Sequence, residues 1–419
     1  MRVLIVGAGI GGLTTALSLH EAGAEPVIVD AARELRPLGV GINLLPHAVR
    51  ELTELGLGDD LAEIGIPTAE MVHFDRYGGR IWGEPRGRDL GYNWPQYSIH
   101  RGELQMALFD AVRKRLGDGA VRTGTVFQDF EQDGSTVRAR LLDRASGEVR
   151  TEEADVLVGA DGLHSAVRAR LYPDERAPLW NGIRMWRGVA EGEPFLTGRT
   201  LAVAGSNATA KLVVYPISRR AERRGKALLN WVAEVKLADD RLDRTADWNR
   251  TGRLEDVLPH FADWTFDWLD VPAMLRATDE ILEYPMVDRE PLGRWTFGRV
   301  TLLGDAAHPM YPIGSNGGSQ AVLDARVLAH ELVAAGPVDG LLGYERERRE
   351  TVNAIVLACR DMPADRVLHT VSQRAPEGFT AIEDVLAPEE LKTITSAYRQ
   401  TSFSDVDALN SRPSYTAAR

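Results

Sequence analysis

A single cysteine, Cys359, among 419 residues means that no disulfide can form within the chain and that a zinc site built on several thiolates is excluded. A reducing compartment is therefore expected. Positive charge is also scarce, since 49 Lys and Arg stand against 61 Asp and Glu for a formal net charge of -12. Nucleic acid and anionic membrane surfaces would repel such a chain unless it carried a strong local basic patch. The one basic run, Arg219, Arg220, Arg223, Arg224 and Lys226, is interrupted by Glu222 and reads as a solvated loop. No long apolar run is present. The uncharged stretch Leu4 to Leu19 is rich in glycine and suits a nucleotide-binding turn better than a signal peptide or a membrane span. HExxH, GxSxG and zinc-ligand clusters are missing, as are repeats, low-complexity tracts and lipidation signals. These absences point to a cytoplasmic protein with a small-molecule substrate, no metal, no nucleic acid or membrane partner, and a monomeric or homodimeric state.

Glycine is plentiful, and its placement carries the information. Arg2 to Val6 is a short apolar run that ends in glycines, after which Leu13, Ala16, Leu17 and His20 fall at helical spacing. A second apolar run, Pro26 to Asp30, completes a βαβ unit and implies a parallel sheet. Helical patterns follow at Pro46 to Leu55 and Gly102 to Leu116, and a hairpin with turn residues Tyr77, Gly78 and Gly79 is expected over Met71 to Trp82. Gly182 to Glu234 reads as an antiparallel sheet. Val300 to Leu303 is again a buried-type strand, and the chain from Gly317 to Leu332 and beyond Val338 is helical. A polar tail from about Pro363 has no derivable packing.

Three motifs suggest chemistry. In Gly7-Ala8-Gly9-Ile10-Gly11-Gly12, Gly7 allows the tight turn, Gly9 lets a pyrophosphate approach, and Gly12 lets strand and helix pack closely. Asp30 at the end of the next strand would take ribose hydroxyls and repel a 2′-phosphate, which favours FAD or NAD over NADP at this turn. The second motif is Gly304-Asp305-Ala306-Ala307-His308-Pro309, followed by Pro312, Gly314, Asn316, Gly317 and Gly318 at the mouth of a helix. It places a carboxylate at the sheet's edge and aims a helix N-terminus at the same point, where negative charge on a reduced flavin would be stabilised. His308 itself reads as a packed turn residue. In the third, Gly159-Ala160-Asp161-Gly162, Asp161 either orders its own turn or serves a ligand.

Together these motifs, separated by a β-rich insertion, resemble the single-component (group A) FAD-dependent aromatic monooxygenases typified by para-hydroxybenzoate hydroxylase and salicylate hydroxylase, over residues 1 to about 360. The strings Arg36-Pro37-Leu38-Gly39-Val40-Gly41-Ile42-Asn43, Gln96 to Gln105, Met185 to Val189 and Tyr284 to Arg289 resemble the phenazine monooxygenases of the pyocyanin-forming type. Those enzymes act on 5-methylphenazine-1-carboxylate and replace a ring carboxylate by hydroxyl. Two departures are Asp30 where glutamate is usual and Gly314-Ser315-Asn316-Gly317 where Gly-Gln-Gly-x-Asn is common.

The resemblance implies an α/β fold: a Rossmann-type FAD-binding domain (1–72, 92–172, 283–360) interleaved with a β-sheet substrate domain (73–91, 173–282), then a C-terminal helical extension (361–419). It implies FAD, with NADH or NADPH as transient co-substrate, and oxygen adding at flavin C4a to give a hydroperoxide that hydroxylates an aromatic substrate. Cofactor contacts are expected from Gly7, Gly9, Gly12, Asp30, Arg36, Gly41, Arg101, Gln105, Asp161, Asp305, Pro312, Gly314, Asn316, Gly317 and Gly318. Pro312 and Gly314 are candidates beside the reacting centre, and Arg187, Tyr215 and Trp231 are substrate candidates, Arg187 as the partner of a substrate carboxylate. A monocyclic phenol or salicylate hydroxylase is the nearest rival, a non-oxygenating flavin oxidase or reductase is less favoured, and a flavin-binding sequestering protein is the rival from another class.

Overall fold

Arg2–Val6 buries four of its five residues and pairs in parallel register with Glu25–Val29 on one side and Val156–Gly159 on the other. Val300–Leu302 then joins the outer side of Val156–Gly159, and Thr296–Phe297 and Val121–Arg122 form the edges of a six-stranded sheet. Inner strands covered on both faces must be apolar throughout, which is why these segments read as continuous hydrophobic runs rather than alternating ones. The helices Ile10–Glu21, Arg101–Leu116 and Asn316–Asp361 pack around it, the last kinked at Gly336, just ahead of Pro337. A three-stranded meander, Thr125–Gln132, Val137–Asp143 and Val149–Ala154, stands beside the sheet and is an addition to the sequence reading. In this computed structural model residues 1–237, 250–361, 363–401 and 405–416 are described. Positions 238–249 of the expected substrate region and 362, 402–404 and 417–419 of the expected extension lie outside the described residues.

The β-rich insertion forms an eight-stranded sheet in the order Arg250–Thr251, Leu282–Asp288, Leu179–Gly192, Ala227–Lys236, Ala210–Pro216, Thr200–Gly205, Glu70–Phe74, Arg80–Pro85. All pairings are antiparallel except Thr200–Gly205 with Glu70–Phe74. The hairpin expected over Met71 to Trp82 is present, and its first strand starts at Glu70, so this sheet begins ahead of position 73. Because side chains alternate across a strand, each strand sends one set to each face. Val72, Ala202, Leu212, Val214, Trp231, Ala233 and Val235 point to an apolar core completed by Phe261, Trp264, Phe266 and Met274. The opposite set, Met71, His73, Leu201, Val203, Val213, Tyr215 and Val232, faces the six-stranded sheet across a cavity.

The C-terminal segments close two sides of the molecule. The helix Pro363–Arg374 sets Val367, Leu368 and Val371 against Met71, Ile81, Leu201 and Val203. Farther on, Val406–Ser411 returns to the first domain, where Arg50 donates to the carbonyls of Leu409 at 3.0 Å and Arg412 at 2.7 Å. Buried Arg326 bridges Glu21, Glu51 and the Thr416 hydroxyl in the same patch. Among the described residues no helix is long and apolar enough to cross a membrane.

Candidate active site

The first glycine turn is as tight as its sequence demands. Gly7 has φ +110°, and a Cβ there would lie 2.4 Å from the Ala160 carbonyl oxygen; a Cβ on Gly12 would lie 2.0 Å from the Gly7 oxygen. Gly9 is different, because nothing stands within 4 Å of its missing Cβ and its backbone lines the cavity. The helix behind it has no side-chain cap and no acidic residue in its first turn, so its N–H groups remain available for an anion. Asp30 braces the turn by accepting from the N–H groups of Ala8 and Ala32, both at 2.7 Å, and Gln105 Nε2 donates to the Ala8 carbonyl at 2.8 Å.

Opposite lies the second motif. Strand Val300–Leu302 stops at Gly304, and Asp305 is left exposed on the cavity wall with no hydrogen bond to another described residue. Pro312, Gly314, Asn316, Gly317 and Gly318 line the same wall. Gly314 and Ser315 take left-handed conformations in succession, φ +69° and +61°, which turns the chain into the long helix at Asn316. His308 is buried as its sequence context suggests, with Nε2 2.6 Å from Asp324, whose other oxygen receives Arg348 Nε at 2.9 Å. Although burial pushes against it, His308 and Arg348 hold the Asp324 carboxyl below the usual range.

The third motif is local in its hydrogen bonding. Asp161 accepts from the Ser165 hydroxyl and from the amides of Ala166 and Val167 at the start of the next helix, while burial still raises its pKa. Its neighbours Ala160 and Gly162 line the cavity. Arg168, seven residues on, pairs with Glu175 and donates to the carbonyls of Ala306 and Ala307 at 3.0 Å, tying the third motif to the second.

Between these loops and the eight-stranded sheet lies a cavity of about 410 Å³. Arg101 and Gly41 belong to its wall, as expected. Gly41 is clamped from the sheet: its N–H donates to Asn230 Oδ1 at 2.7 Å, and its carbonyl accepts from Arg187 Nη2 at 2.8 Å and the Tyr215 hydroxyl at 3.1 Å. A Cβ at Gly41 would come within 2.7 Å of Asn230, so only glycine fits. Burial raises the Tyr215 pKa, against the pull of Arg187, and keeps the phenol neutral.

Three expectations change. Arg36 does not line the cavity but pairs with Glu34 at the exposed surface, because its loop turns outward there. Trp231 sits one residue out of phase with the cavity-lining Val232, so it points to the far core, where its Nε1 donates to Thr278 at 2.9 Å. Arg187 reaches the cavity but spends Nη2 on a backbone carbonyl; its Nε is buried with no hydrogen-bond partner among the described residues. Sequence reasoning missed Asn230, Lys211, Glu234 and Asp365. The period of two running back from Tyr215 through Val213 to Lys211 was the available signal.

The residues present fit a flavin dinucleotide. Two helix N-termini without acidic first turns open on one cavity, a glycine turn admits close backbone approach, and a carboxylate with no hydrogen-bond partner among the described residues stands on the facing wall. A family model described as an FAD binding domain matches residues 1–247 and 270–358. The chain is 51% identical to phenazine 1,6-dicarboxylic acid hydroxylase of Lysobacter antibioticus, over 95% of this chain and 96% of that protein. It is 32% identical to 3-hydroxybenzoate 6-hydroxylase 1 of Aquipseudomonas alcaligenes over 83% and 84% of the two chains. The solved structure of Klebsiella pneumoniae HpxO complexed with FAD and uric acid shares the fold, with TM-score 0.72 and 23% identity over 98% of this chain and 96% of that one.

Proposed function

The chain belongs to the FAD-binding-domain family and is an FAD-dependent aromatic monooxygenase with NAD(P)H as co-substrate, and on that premise we propose that it hydroxylates a phenazine carboxylate. The observation that carries the substrate class is the 51% identity to a phenazine hydroxylase across nearly the whole chain. The span of the lining is compatible with it. From Tyr215 to Lys211 the lining runs along four residue steps of strand, about 13 Å at roughly 3.3 Å each, long enough for a fused tricyclic acid.

In this reading the Gly7–Gly12 turn and the helix behind it hold the pyrophosphate, Asp30 the adenosine ribose, Asp305 the ribityl chain, and Pro312 to Gly318 the ring. Arg101 and Gln105 flank the cofactor. With Glu70–Phe74 and Leu282–Asp288 both in the eight-stranded sheet, the FAD side comprises about 1–69, 92–172 and 289–360, the substrate side about 70–91 and 173–288, and the rest is the C-terminal extension. Bound FAD supplies reduction by NAD(P)H and the transfer of one atom of O2 to an aromatic carbon. The protein's own part is positioning and exclusion of water, for which Leu201, Val203, Val213 and Val232 form an apolar ceiling. Arg187 Nε remains to orient a polar substituent. Where a ring carboxylate is replaced, the balance is aromatic carboxylate, NAD(P)H, O2 and two protons giving phenol, CO2, NAD(P)⁺ and water. An acidic surface and a single cysteine support a cytoplasmic enzyme, monomeric or homodimeric.

NADH oxidation by the purified protein in air, with and without phenazine-1-carboxylate or phenazine-1,6-dicarboxylate and with products identified by mass, tests this. Stimulation with a hydroxylated product is expected. Stimulation only by salicylate or hydroxybenzoates would move the assignment to monocyclic hydroxylases.

A further inference from the structure

One wall of the cavity is charged in a way that oxygen transfer does not require. Lys211, 3% exposed, has Nζ 2.9 Å from Glu234 Oε2 and 3.1 Å from Asp365 Oδ1. Glu234 is the cross-strand partner of Lys211, while Asp365 arrives from the first turn of the C-terminal helix and also accepts from Asn207 Nδ2 at 2.7 Å. All three line the cavity. Burying three ions forfeits much hydration, and apolar residues of similar size would hold such a wall together at least as well. Their use here calls for a ligand. Two of the ammonium's three donors are taken by carboxylates, and among the described residues the third has no partner.

The charges around it favour an anion. Arg86, paired with Glu84, lines the same cavity, as does Arg187. His73 is driven down to about 3, by burial first and then by Arg86 and Lys211, and adds no charge. Burial raises the pKa of Glu234 against the pull of Lys211. The groups that line the cavity, Arg86, Arg101, Arg187 and Lys211 against Glu234, Asp305 and Asp365, leave one positive charge in excess.

Resting on the phenazine-acid reading above, we propose that Lys211 binds a second carboxylate of the substrate, one remote from the reacting carbon, in competition with Asp365 of the C-terminal helix. The preferred substrate is then an aromatic diacid, one acidic group near the Gly41 clamp and the other about four strand residues away. Asp365 makes the C-terminal helix part of the binding site.

Equilibrium dialysis of the FAD-loaded protein with phenazine-1,6-dicarboxylate and phenazine-1-carboxylate gives a ratio of dissociation constants that does not depend on turnover. A charge-assisted hydrogen bond corresponds to roughly 10- to 100-fold tighter binding of the diacid in the wild type. Lys211→Met is expected to bring the ratio within about twofold of unity, and Asp365→Asn, which removes the competing anion, to increase it several-fold. Equal binding of both acids by wild type, or ratios unmoved in both variants, overturns the proposal. Should Lys211→Met fail to fold, Asp365→Asn decides alone: a rise supports, no change or a fall overturns. Binding with the expected ratios but no ring oxygenation sinks only the hydroxylase reading, whereas no binding of either acid sinks both.

Discussion

Replacing Arg187 by Met separates two roles that the sequence and the structure give this side chain. The guanidinium donates to the Gly41 carbonyl at 2.8 Å, beside the Tyr215 hydroxyl at 3.1 Å on the same oxygen. Loss of one hydrogen bond from a charged donor costs about 1.5–3 kcal/mol, which at about 1.4 kcal/mol per tenfold is roughly a 12- to 140-fold fall in kcat/KM. A clamp acts on the geometry of the cofactor-facing loop, so kcat should carry most of the loss. Tyr215→Phe removes a neutral donor and should cost about 0.5–1.5 kcal/mol, roughly 2- to 12-fold. Because both groups serve one carbonyl, the double variant should depart from the product of the single effects. Steady-state kinetics on all four proteins, with FAD content checked by absorbance, reads this out. If Arg187→Met raises KM for carboxylated substrates alone and leaves kcat intact, the residue grips substrate and the clamp argument fails.

Asp305→Ala should keep the fold and lose copurifying FAD, by roughly 10- to 100-fold in affinity for one charge-assisted contact; a fully yellow variant would place that contact elsewhere. Gly12→Ala drives a Cβ to 2.0 Å from the Gly7 carbonyl oxygen, so a large drop in melting temperature is expected, and a wild-type melting curve would contradict it. Acid should destabilise the protein through His47 and His73, both lowered to about 3 from 6.5, by burial first and then by Arg348 and Arg412 for His47 and by Arg86 and Lys211 for His73. The unfolded chain takes up these protons below pH 6.5 and the folded chain does not until about 3, so stability is full above 6.5 and falls with pH. At pH 5 the loss is about 2 kcal/mol per histidine, and His73→Gln should remove about that much of the stability change between pH 7 and 5, read as a smaller shift in urea midpoint; an unchanged shift would refute the assignment.

The parallel sheet and its glycine turns were legible because backbone geometry leaves few residues able to do the job, as the contacts that any Cβ would make at Gly7 and Gly12 show. Asp305 was legible for a similar reason, standing where a buried strand must end. Trp231 was misplaced by one residue of strand phase, which aromatic content cannot reveal but the cavity-facing set around Val232 does. Lys211 was not singled out, because its partner Asp365 stands 154 residues away on the returning C-terminal helix. The anchoring of the tail on Arg50 and Arg326 joins residues about 90 to 360 apart in sequence, a pairing that no local pattern encodes.

The order of strands in the six-stranded sheet has a consequence for how the protein is made. Val300–Leu302 completes the ladder beside Val156–Gly159, which itself pairs with Arg2–Val6, so the first and the late parts of the chain share one structural unit. As the chain leaves the ribosome, the earliest strand meets its second neighbour only after residue 159, and the unit waits for residue 302 while six of the eight strands of the other sheet are synthesised between them. Such long-range pairing is slow and leaves an open apolar edge in the meantime, where a nascent chain is exposed to aggregation. Asp305 and the Asn316 helix emerge last of all the cavity-lining loops on that side, so under the proposed assignment of the cofactor to them its capture is a closing step of biogenesis rather than a template for it.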